Sequence, residues 1–299
     1  MNRFLYSFII WLCIPFAILK ILLKDSHDSS WKVKLKNQLG FIQKKSGRVI
    51  WIHSVSVGEF NASKPLVDEL MSLYPDHKIV ITTTTMTGSK AVKDHYKGNV
   101  IHYFFPFDAG SIMKSFLGAI KPEICILMET EIWPNLIHLL NKKNIPVALI
   151  NARLSEKSFN KYQTFFPKLV KESLRKLSII CPQNTYSADR FIKLGAKKED
   201  LLITGSLKFD NNDSMDTDLI KSLTTMVGDK HVAVFASTRD GEEKLIIDSY
   251  LKLKERINSL LVIIPRHPER FEDAVKIAKN SGLKVERRSQ IKRCAEDTD

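Results

Sequence analysis

The strand-to-helix transition that decides the fold has the sequence VIWIHSVSVGEF, residues 49–60. Its first part, Val49–Val55, is a nearly unbroken apolar run, which is typical of a strand buried on both faces of a parallel sheet. Gly58 permits a tight turn, and Glu59 then falls in the first turn of a helix, where the helix dipole stabilises a carboxylate. Glu59 is therefore either a helix cap or a general base at the mouth of the sheet, and the residues alone leave both roles open.

The same alternation of apolar runs and amphipathic stretches continues along the chain and predicts an α/β fold with a parallel sheet covered on both faces. The predicted strands after Val49–Val55 are Ile79–Thr85, Val100–Phe104, Ile124–Met128, Val147–Asn151, Ser178–Pro182 and Leu202–Thr204. The predicted helices are Glu59–Leu73, Ser89–Tyr96, Trp133–Asn141, Phe159–Lys176 and Tyr186–Leu194. Sheets of this kind bind ligands beyond the carboxyl ends of their strands.

A polar segment divides the chain. Residues 28–210 are predicted to form the first Rossmann-like domain, 211–228 a linker, and 229–299 part of a second α/β domain. The second part is predicted to contain strands Val232–Ala236, Leu260–Ile264 and Leu283–Glu286, with helices Glu242–Ile257 and Phe271–Ser281. Three strands and two helices form a small core, so we expect this second domain to be incomplete.

The N-terminus predicts a membrane anchor over residues 1–27. Residues 4–23 are apolar apart from Ser7 and Lys20, and twenty helical residues reach about 30 Å, the thickness of a bilayer core. Arg3 precedes the segment while Lys24, Lys32, Lys34 and Lys36 follow it, so the positive-inside tendency places the body in the cytoplasm. A cleaved signal peptide and a monotopic helix lying in the interface are the open alternatives.

The charge of the chain indicates which partners it can bind, and its cysteines indicate the redox compartment. The formal net charge is +13, and residues 1–50 hold nine Lys or Arg against two acids, which favours anionic lipid over nucleic acid. Zinc spacing, RNA-binding aromatic signatures and a basic zipper are absent from the sequence, so we expect no nucleic-acid partner. Cys13, Cys125, Cys181 and Cys294 form no CxxC pair, which favours reduced thiols in a reducing compartment.

Polar residues follow most of the predicted strands. After the second strand, the segment TTTTMTGS (82–89) supplies hydroxyls and free N–H groups suited to an anion or a sugar, or simply a threonine helix cap. After the fourth strand, METEIWPN (128–135) places Glu129 and Glu131 on one face, to orient sugar hydroxyls or to pair with Arg153. TGSLKFD (204–210), ASTRDGEE (236–243) and PRHPER (265–270) offer Lys208 and further cations for a phosphate.

Taken together, these motifs resemble the Kdo (3-deoxy-D-manno-octulosonic acid) transferases of Gram-negative bacteria. The motifs HSVSVGEF, TTTTMTGS, FFPFD, METEIWPN, LINARLS, TGSLKFD, ASTRDGEE and IPRHPERF follow the family's order over nearly the whole chain. The resemblance implies a GT-B glycosyltransferase of two Rossmann-like domains, anchored in the inner membrane with its body in the cytoplasm. It implies CMP-Kdo as donor, lipid IVA as acceptor, and an inverting reaction in lipopolysaccharide biosynthesis that needs neither metal nor cofactor.

The resemblance also implies roles for individual residues. Glu59 is the expected catalytic base, and Glu129 and Glu131 are expected active-site acids. Four residues are expected on the donor side, namely Lys208, Thr238, Arg266 and His267. Four others are expected to bind acceptor or sugar, namely Ser56, Thr85, Thr87 and Gly88.

The chain departs from the family pattern in three respects. Ser206 stands where the family usually has Asn, and Arg239-Asp240 replaces the usual His-Glu. The Gly-rich segment and GGHN-type motif of the family's donor domain do not follow, so a chain truncated at its C-terminus is expected. A non-catalytic remnant that binds lipid A precursor or membrane is the first alternative to an active transferase. Another GT-B enzyme with a lipid acceptor is the second.

Overall fold

The computed structural model describes residues 1–24, 30–44, 46–210, 217–253, 259–291, 294–295 and 298. The chain divides into two compact units, Met1–Asn212 and Asp213–Asp299. We call them unit 1 and unit 2 and describe each by itself.

Unit 1 is built on a six-stranded, wholly parallel sheet. Its strands are β1 Arg48–His53, β2 His77–Thr83, β3 Ile101–Phe104, β4 Ile124–Met128, β5 Val147–Ala152 and β6 Ile179–Pro182. Its helices are α1 Arg3–Lys24, α2 Trp31–Gln38, α3 Val57–Leu73, α4 Met86–Tyr96, α5 Gly110–Ile120, α6 Pro134–Lys142, α7 Glu156–Phe165, α8 Pro167–Leu174 and α9 Thr185–Lys193.

The strand order is β3-β2-β1-β4-β5-β6, the order of a Rossmann sheet. The chain builds outward from β1 to β3, then returns to place β4 on the other side of β1 in parallel register, with Ile50 opposite Ile124. The carboxyl ends of β1 and β4 therefore flank the crevice at which the winding reverses, and this switch point is where such sheets bind ligands.

Alternation along β1 explains why both faces of the sheet are covered. Val49 and Trp51 point into one apolar core, and Ile50 and Ile52 point into the other. The first core lies under α5, α6, α8 and α9, and the second lies under α3 and α4. Trp51 is fully buried, and complete burial of a large apolar side chain contributes about 1.5–3 kcal/mol.

Two of the elements predicted for unit 1 differ from the structure, and α2 and α5 form in addition to the helices named in the prediction. The helix predicted over Phe159–Lys176 is two helices, α7 and α8, because Pro167 cannot continue the α7 ladder and excludes the α region for Phe166. Residues 202–204 do not form a named strand, although Leu202 N–H and Thr204 N–H donate to carbonyls of β6.

Unit 2 contains α10 Thr217–Val227, β7 His231–Thr238, α11 Glu242–Leu253, β8 Ser259–Pro265 and α12 Phe271–Asn280. Strands β7 and β8 pair in parallel, and a small core forms around Ile247 and Tyr250. Residues 211–216 of the predicted linker lie outside the described residues, and α10 occupies the rest of the linker to Val227. The end of the helix predicted to reach Ile257 also lies outside the described residues.

The third strand predicted for unit 2, Leu283–Glu286, is wrong. Gly282 adopts φ 81°, and Leu283 N–H donates to the carbonyl of Ala278. The segment therefore closes the end of α12 and pairs with neither β7 nor β8 in the part of unit 2 that the structure describes.

Candidate active site at the switch point of unit 1

Three carboxylates stand at the carboxyl ends of β1 and β4. Glu59 lies in the first turn of α3, which begins directly after β1, and Glu129 and Glu131 lie in the loop that follows β4. Their charges act on one another, since both Glu131 and Glu129 raise the pKa of Glu59. The sheet order thus brings together acids separated by about seventy residues of sequence.

The carboxylate of Glu59 is fixed by the loop that it follows. Its Oε2 accepts a hydrogen bond from the Val55 N–H at 2.8 Å, while Ser56 Oγ accepts from the Glu59 N–H at 3.4 Å and caps α3. The pair approximates a capping box, in which a side chain at each end of the first turn satisfies a free N–H group. Glu59 therefore caps the helix start, and the loop before α3 fixes the position of its carboxylate.

The surroundings raise the pKa of Glu59 to about 7. Burial is the largest cause, followed in the same direction by the charges of Glu131 and Glu129, whereas the hydrogen bonds from Val55 and Ser56 lower it. A carboxyl group that titrates near neutrality can both take and release a proton at cellular pH. The capping role and a role as base are compatible in this position.

A buried histidine faces the same acids. His53, the last residue of β1, is fully buried and stacks on Phe105 with ring centroids 3.8 Å apart. Its Nε2 lies 3.7 Å from Glu131 Oε2, and Trp133 Nε1 donates a 2.8 Å hydrogen bond to the same oxygen. The indole N–H of Trp133 therefore holds Glu131, and the imidazole of His53 lies beside the same oxygen.

The tautomer of His53 follows from its other nitrogen. Nδ1 lies 3.0 Å from the hydroxyl and 3.1 Å from the carbonyl oxygen of Thr82; because the carbonyl can only accept, we assign the proton to Nδ1. Among the described residues, Nε2 has no hydrogen-bond partner. With the proton on Nδ1, the lone pair of Nε2 faces the site.

Two strand ends of unit 1 adopt the left-handed backbone conformation. Glu129 has φ 54° and Asn151, at the end of β5, has φ 49°. Asn151 is buried, and its Oδ1 accepts from Gln183 Nε2 at 2.8 Å and from the Leu207 N–H at 3.3 Å. Such strain costs about 1–3 kcal/mol in a residue other than glycine and clusters at functional sites.

The predicted acceptor-side residues surround the starts of α3 and α4. Ser56 and Thr85 are the N-caps, and Thr85 Oγ1 accepts from the Gly88 N–H at 3.0 Å and from Thr87 Oγ1 at 3.3 Å. Gly88 packs so tightly that an added Cβ would lie 2.9 Å from Thr85 Oγ1 and 3.1 Å from Thr83 Cβ. Thr85 therefore acts as the helix cap that the sequence offered as one interpretation, and Thr87 is exposed in the first turn of α4.

Lys208 lies in a short 3₁₀ turn, Leu207–Phe209, which contacts α3. Its side chain is exposed, and the turn is held by Asn151 through the Leu207 N–H. The fold thus places this cation beside the helix that carries Glu59. The ion pair with Arg153, given above as the alternative role of Glu129 and Glu131, is not formed between these described side chains. Instead, the Arg153 carbonyl accepts from Thr130 Oγ1 at 2.6 Å.

The predicted donor residues of unit 2 follow β7 and β8. Thr238 is buried, and its hydroxyl donates to Glu243 Oε1 at 2.9 Å, so it supports the turn at the start of α11. Arg270 donates to the other oxygen of Glu243 at 2.9 Å. Arg266 and His267 are exposed after β8, and the Arg266 N–H donates to the Thr238 carbonyl, which fixes one strand end against the other.

Comparison with known proteins places these features in a family. The family model described as 3-deoxy-D-manno-octulosonic-acid transferase (kdotransferase) matches residues 33–211, which include the whole six-stranded sheet. The chain belongs to the Kdo transferase family.

Curated relatives named as Kdo transferases, which are glycosyltransferases, agree with this family membership. It is 36% identical over 295 residues to a 3-deoxy-D-manno-octulosonic acid transferase of Haemophilus influenzae, covering 97% of this chain and 69% of that protein. It is 33% identical to a probable mitochondrial Kdo transferase of Arabidopsis thaliana, covering 88% of this chain and 60% of that protein. For the Kdo transferase of Rickettsia felis the identity is 30%, with 81% and 52% covered. The chain thus spans between about half and two thirds of the length of these relatives.

Solved structures confirm the GT-B-type α/β fold class. A UDP-GlcNAc 2-epimerase of Neisseria meningitidis superposes with a TM-score of 0.56 at 14% identity, covering 78% of this chain and 69% of the other. A UDP-N-acetylglucosamine 2-epimerase from Listeria monocytogenes, described as putative, gives 0.55 at 16% identity, covering 81% and 68%. At these identities the likeness concerns the fold alone.

One residue of this Kdo transferase chain that sequence reasoning did not single out is Asp108. It is buried after β3, and its carboxylate accepts from the N–H groups of Asn135 and Leu136 at 3.0 and 2.8 Å and from Tyr6 Oη at 2.9 Å. Asp108 therefore caps α6, the helix that follows the acidic loop. The signal available in the sequence was an acid following an apolar run, in the motif FFPFD.

Proposed function

We propose that this chain transfers Kdo from CMP-Kdo to lipid IVA in lipopolysaccharide biosynthesis, with Glu59 as general base. The supporting observation is a half-buried carboxylate at the switch point of unit 1 whose pKa is raised to about 7. At neutral pH about half of this group is ionised, which suits removal of a proton from a hydroxyl during its attack.

The proposed step is a single displacement that inverts the anomeric centre and needs no metal. An acceptor hydroxyl oxygen forms a bond to the anomeric carbon of Kdo while the bond from that carbon to the CMP phosphate oxygen breaks. The hydroxyl proton moves to Glu59, and the bonding electrons leave with CMP. Attack on the face opposite the leaving group inverts the anomeric centre.

Glu129 and Glu131 act on this step through charge and position. Their negative charges keep the pKa of Glu59 high, which makes Glu59 a stronger base once ionised. The fixed oxygens of Glu131, held by Trp133 and facing His53, are suited to orient hydroxyls of the sugar or the acceptor.

The donor is proposed to bind through cations at strand ends. In unit 2, Arg266 and His267 are exposed and suited to the phosphate of CMP, and Thr238 holds the turn at the start of α11 through Glu243. In unit 1, the exposed Lys208 is suited to a phosphate or to the carboxylate of Kdo. Ser56, Thr85, Thr87 and Gly88 are proposed to shape the acceptor side. Helix α1 is proposed to hold the protein on the inner membrane with unit 1 on the cytoplasmic side.

The test is a transfer assay with purified protein in mild detergent, CMP-Kdo, lipid IVA and a mass-spectrometric readout. A gain of one or more Kdo masses with the wild type, absent with Glu59→Gln, is the expected result. The matched control is Glu156→Gln, at an exposed acid in the first turn of α7, which is expected to leave transfer unchanged. Binding of lipid IVA without transfer by folded wild type would contradict the proposal and favour the non-catalytic alternative.

A further inference from the structure

Helix α1 is docked on unit 1 along its whole length. One stripe of the helix faces the rest of the unit at spacings of three and four residues, and we call it the inner stripe: Arg3, Tyr6, Ser7, Ile10, Ile14, Ile18 and Ile21. Ile14 and Ile21 are each 6% exposed, and Ile14 packs with Ala109 and Ile112. At about 1.5 Å per residue the stripe is roughly 27 Å long.

The first two turns of α1 are also tied by polar contacts. Tyr6 Oη donates to Asp108 at 2.9 Å, and Ser7 Oγ and Arg3 Nη1 donate to Asn135 Oδ1 at 3.0 and 3.3 Å. Asn135 lies in the first turn of α6, and Asp108, in the loop after β3, caps that helix, so the beginning of α1 is bonded to the same folded body that its later turns contact.

The opposite side of α1 is apolar and exposed. We call it the outer face: Phe4, Phe8, Trp11, Leu12, Phe16, Leu19 and Leu23. Phe4, Phe16 and Leu23 are 79%, 74% and 71% exposed, and a row of side chains this long exceeds the apolar patch that a soluble monomer ordinarily shows. By length and composition, Arg3–Leu23 is also the one helix among the described residues apolar enough to cross a membrane.

Helix α1 cannot cross a membrane while it contacts unit 1 in this way. A helix that spans the bilayer carries its two ends to opposite surfaces about 30 Å apart, yet both ends of the inner stripe contact unit 1. Unit 1 would then have to enter the hydrocarbon together with Asp108, Asn135 and the charged α2. Burial of such groups in lipid is costly, and detaching the helix would leave the stripe's polar side chains in hydrocarbon.

We propose that α1 lies in the plane of an anionic membrane surface, with its outer face sunk into the leaflet and its inner stripe bonded to unit 1. The occupant of the outer face is a phospholipid bilayer, for which charge complementarity is the supporting argument. Residues 1–44 contain seven Lys or Arg against two acids, and Lys20, Lys32 and Lys36 are exposed. The proposal does not rest on the transfer reaction.

The decisive experiment is the sidedness of the N-terminus in sealed vesicles. In a Cys13→Ser, Cys294→Ser background, Asn2→Cys and, separately, Phe209→Cys receive a membrane-impermeant maleimide. Phe209 is 88% exposed on unit 1 and marks the side of the body. Equal labelling of both cysteines in sealed vesicles is expected. Labelling of Phe209→Cys alone, with Asn2→Cys reacting only after the vesicles are opened, would show a spanning helix and overturn the proposal.

Vesicle binding tests the outer face itself. Phe16→Ser is expected to weaken retention on phosphatidylcholine vesicles containing phosphatidylglycerol by about tenfold or more, since a buried Phe side chain contributes at least that factor. Leu73→Ser, at a 61% exposed apolar residue at the end of α3, is the matched control and is expected to bind as the wild type does. Retention without phosphatidylglycerol is expected to be weaker. Equal loss in both variants, or concentration-dependent self-association in place of vesicle binding, would contradict a lipid occupant.

Discussion

Replacement of Asp108 by alanine is the sharpest stability test of the link between α1, α6 and the acidic loop. The change leaves the buried N–H groups of Asn135 and Leu136 without their acceptor and removes the partner of Tyr6. A lost helix cap costs about 0.5–2 kcal/mol, and a buried donor left unpaired costs about 1–3 kcal/mol. Because water restores part of this bonding, we expect a loss of about 3 kcal/mol for unit 1.

The assay is urea unfolding followed by tryptophan fluorescence. The four tryptophans, Trp11, Trp31, Trp51 and Trp133, all lie in unit 1, so the signal reports that unit alone. For a unit of this size, a loss of about 3 kcal/mol also lowers Tm by roughly 6–12 °C. Tyr6→Phe, which removes a single hydrogen bond, is the matched control and is expected to cost about 1 kcal/mol.

The same variant has a predictable pH dependence. Burial raises the pKa of Asp108 to about 7 from its ordinary value of 3.8, against the opposing effect of its hydrogen bonds. Between these values the folded state holds a proton that the unfolded state releases, so the stabilising contribution of this group is present at low pH and fades as the pH rises toward 7. The deficit of Asp108→Ala should therefore be larger at pH 5 than at pH 8. A deficit below that of Tyr6→Phe, or one that grows with pH, would refute the reasoning.

Four further predictions concern the switch point and its surroundings. The kcat/KM of Kdo transfer should rise about tenfold per pH unit below about pH 7 and level off above it, because Glu59 must be ionised to act; a flat profile would exclude it as base. Glu131→Gln should shift that limb to lower pH in the same assay, since it removes a charge that raises the pKa of Glu59; an unchanged limb would contradict the coupling. Lys208→Ala should raise the KM for CMP-Kdo with kcat nearly unchanged in initial-rate measurements, whereas a fall in kcat alone would assign it to the chemical step. Gly88→Ala should destabilise unit 1 by about 1–3 kcal/mol in urea unfolding because its Cβ would meet Thr85 Oγ1 at 2.9 Å. The control Gly118→Ala, with open space around the added Cβ, should stabilise the unit by about 0.5–1 kcal/mol. The reverse order of stabilities would refute the packing argument.

Local sequence patterns predicted the strands of unit 1 well because each is a buried apolar run. Ile124–Met128 was predicted with the bounds that the structure gives, and β1 begins and ends within two residues of its prediction. The order of the strands was not predictable in this way, since the pairing of β1 with β4 joins residues about seventy positions apart. Proline chemistry indicates a break at Pro167, but the amphipathic pattern continues across this residue and led to the prediction of a single helix.

The candidate site was predictable only in part, for a related reason. Glu59 can be found from sequence because the strand, the turn and the helix start are contiguous. His53 gives no such signal, since its role depends on Thr82, Phe105 and Glu131, which arrive from three other segments. Thr238 was predicted to face the donor, yet its hydroxyl is taken by Glu243 five residues later, a contact that the helix geometry of α11 creates.

The docking of α1 has a consequence for synthesis of the protein. The helix is the first element to leave the ribosome, whereas its partners Asp108, Ile112 and Asn135 emerge about a hundred residues later. During that interval the inner stripe and the outer face are both uncovered, and a segment so exposed aggregates in water. The nascent chain is therefore expected to reach the lipid surface before unit 1 can fold, so that the fold is completed on the membrane and closes over a helix already resting there.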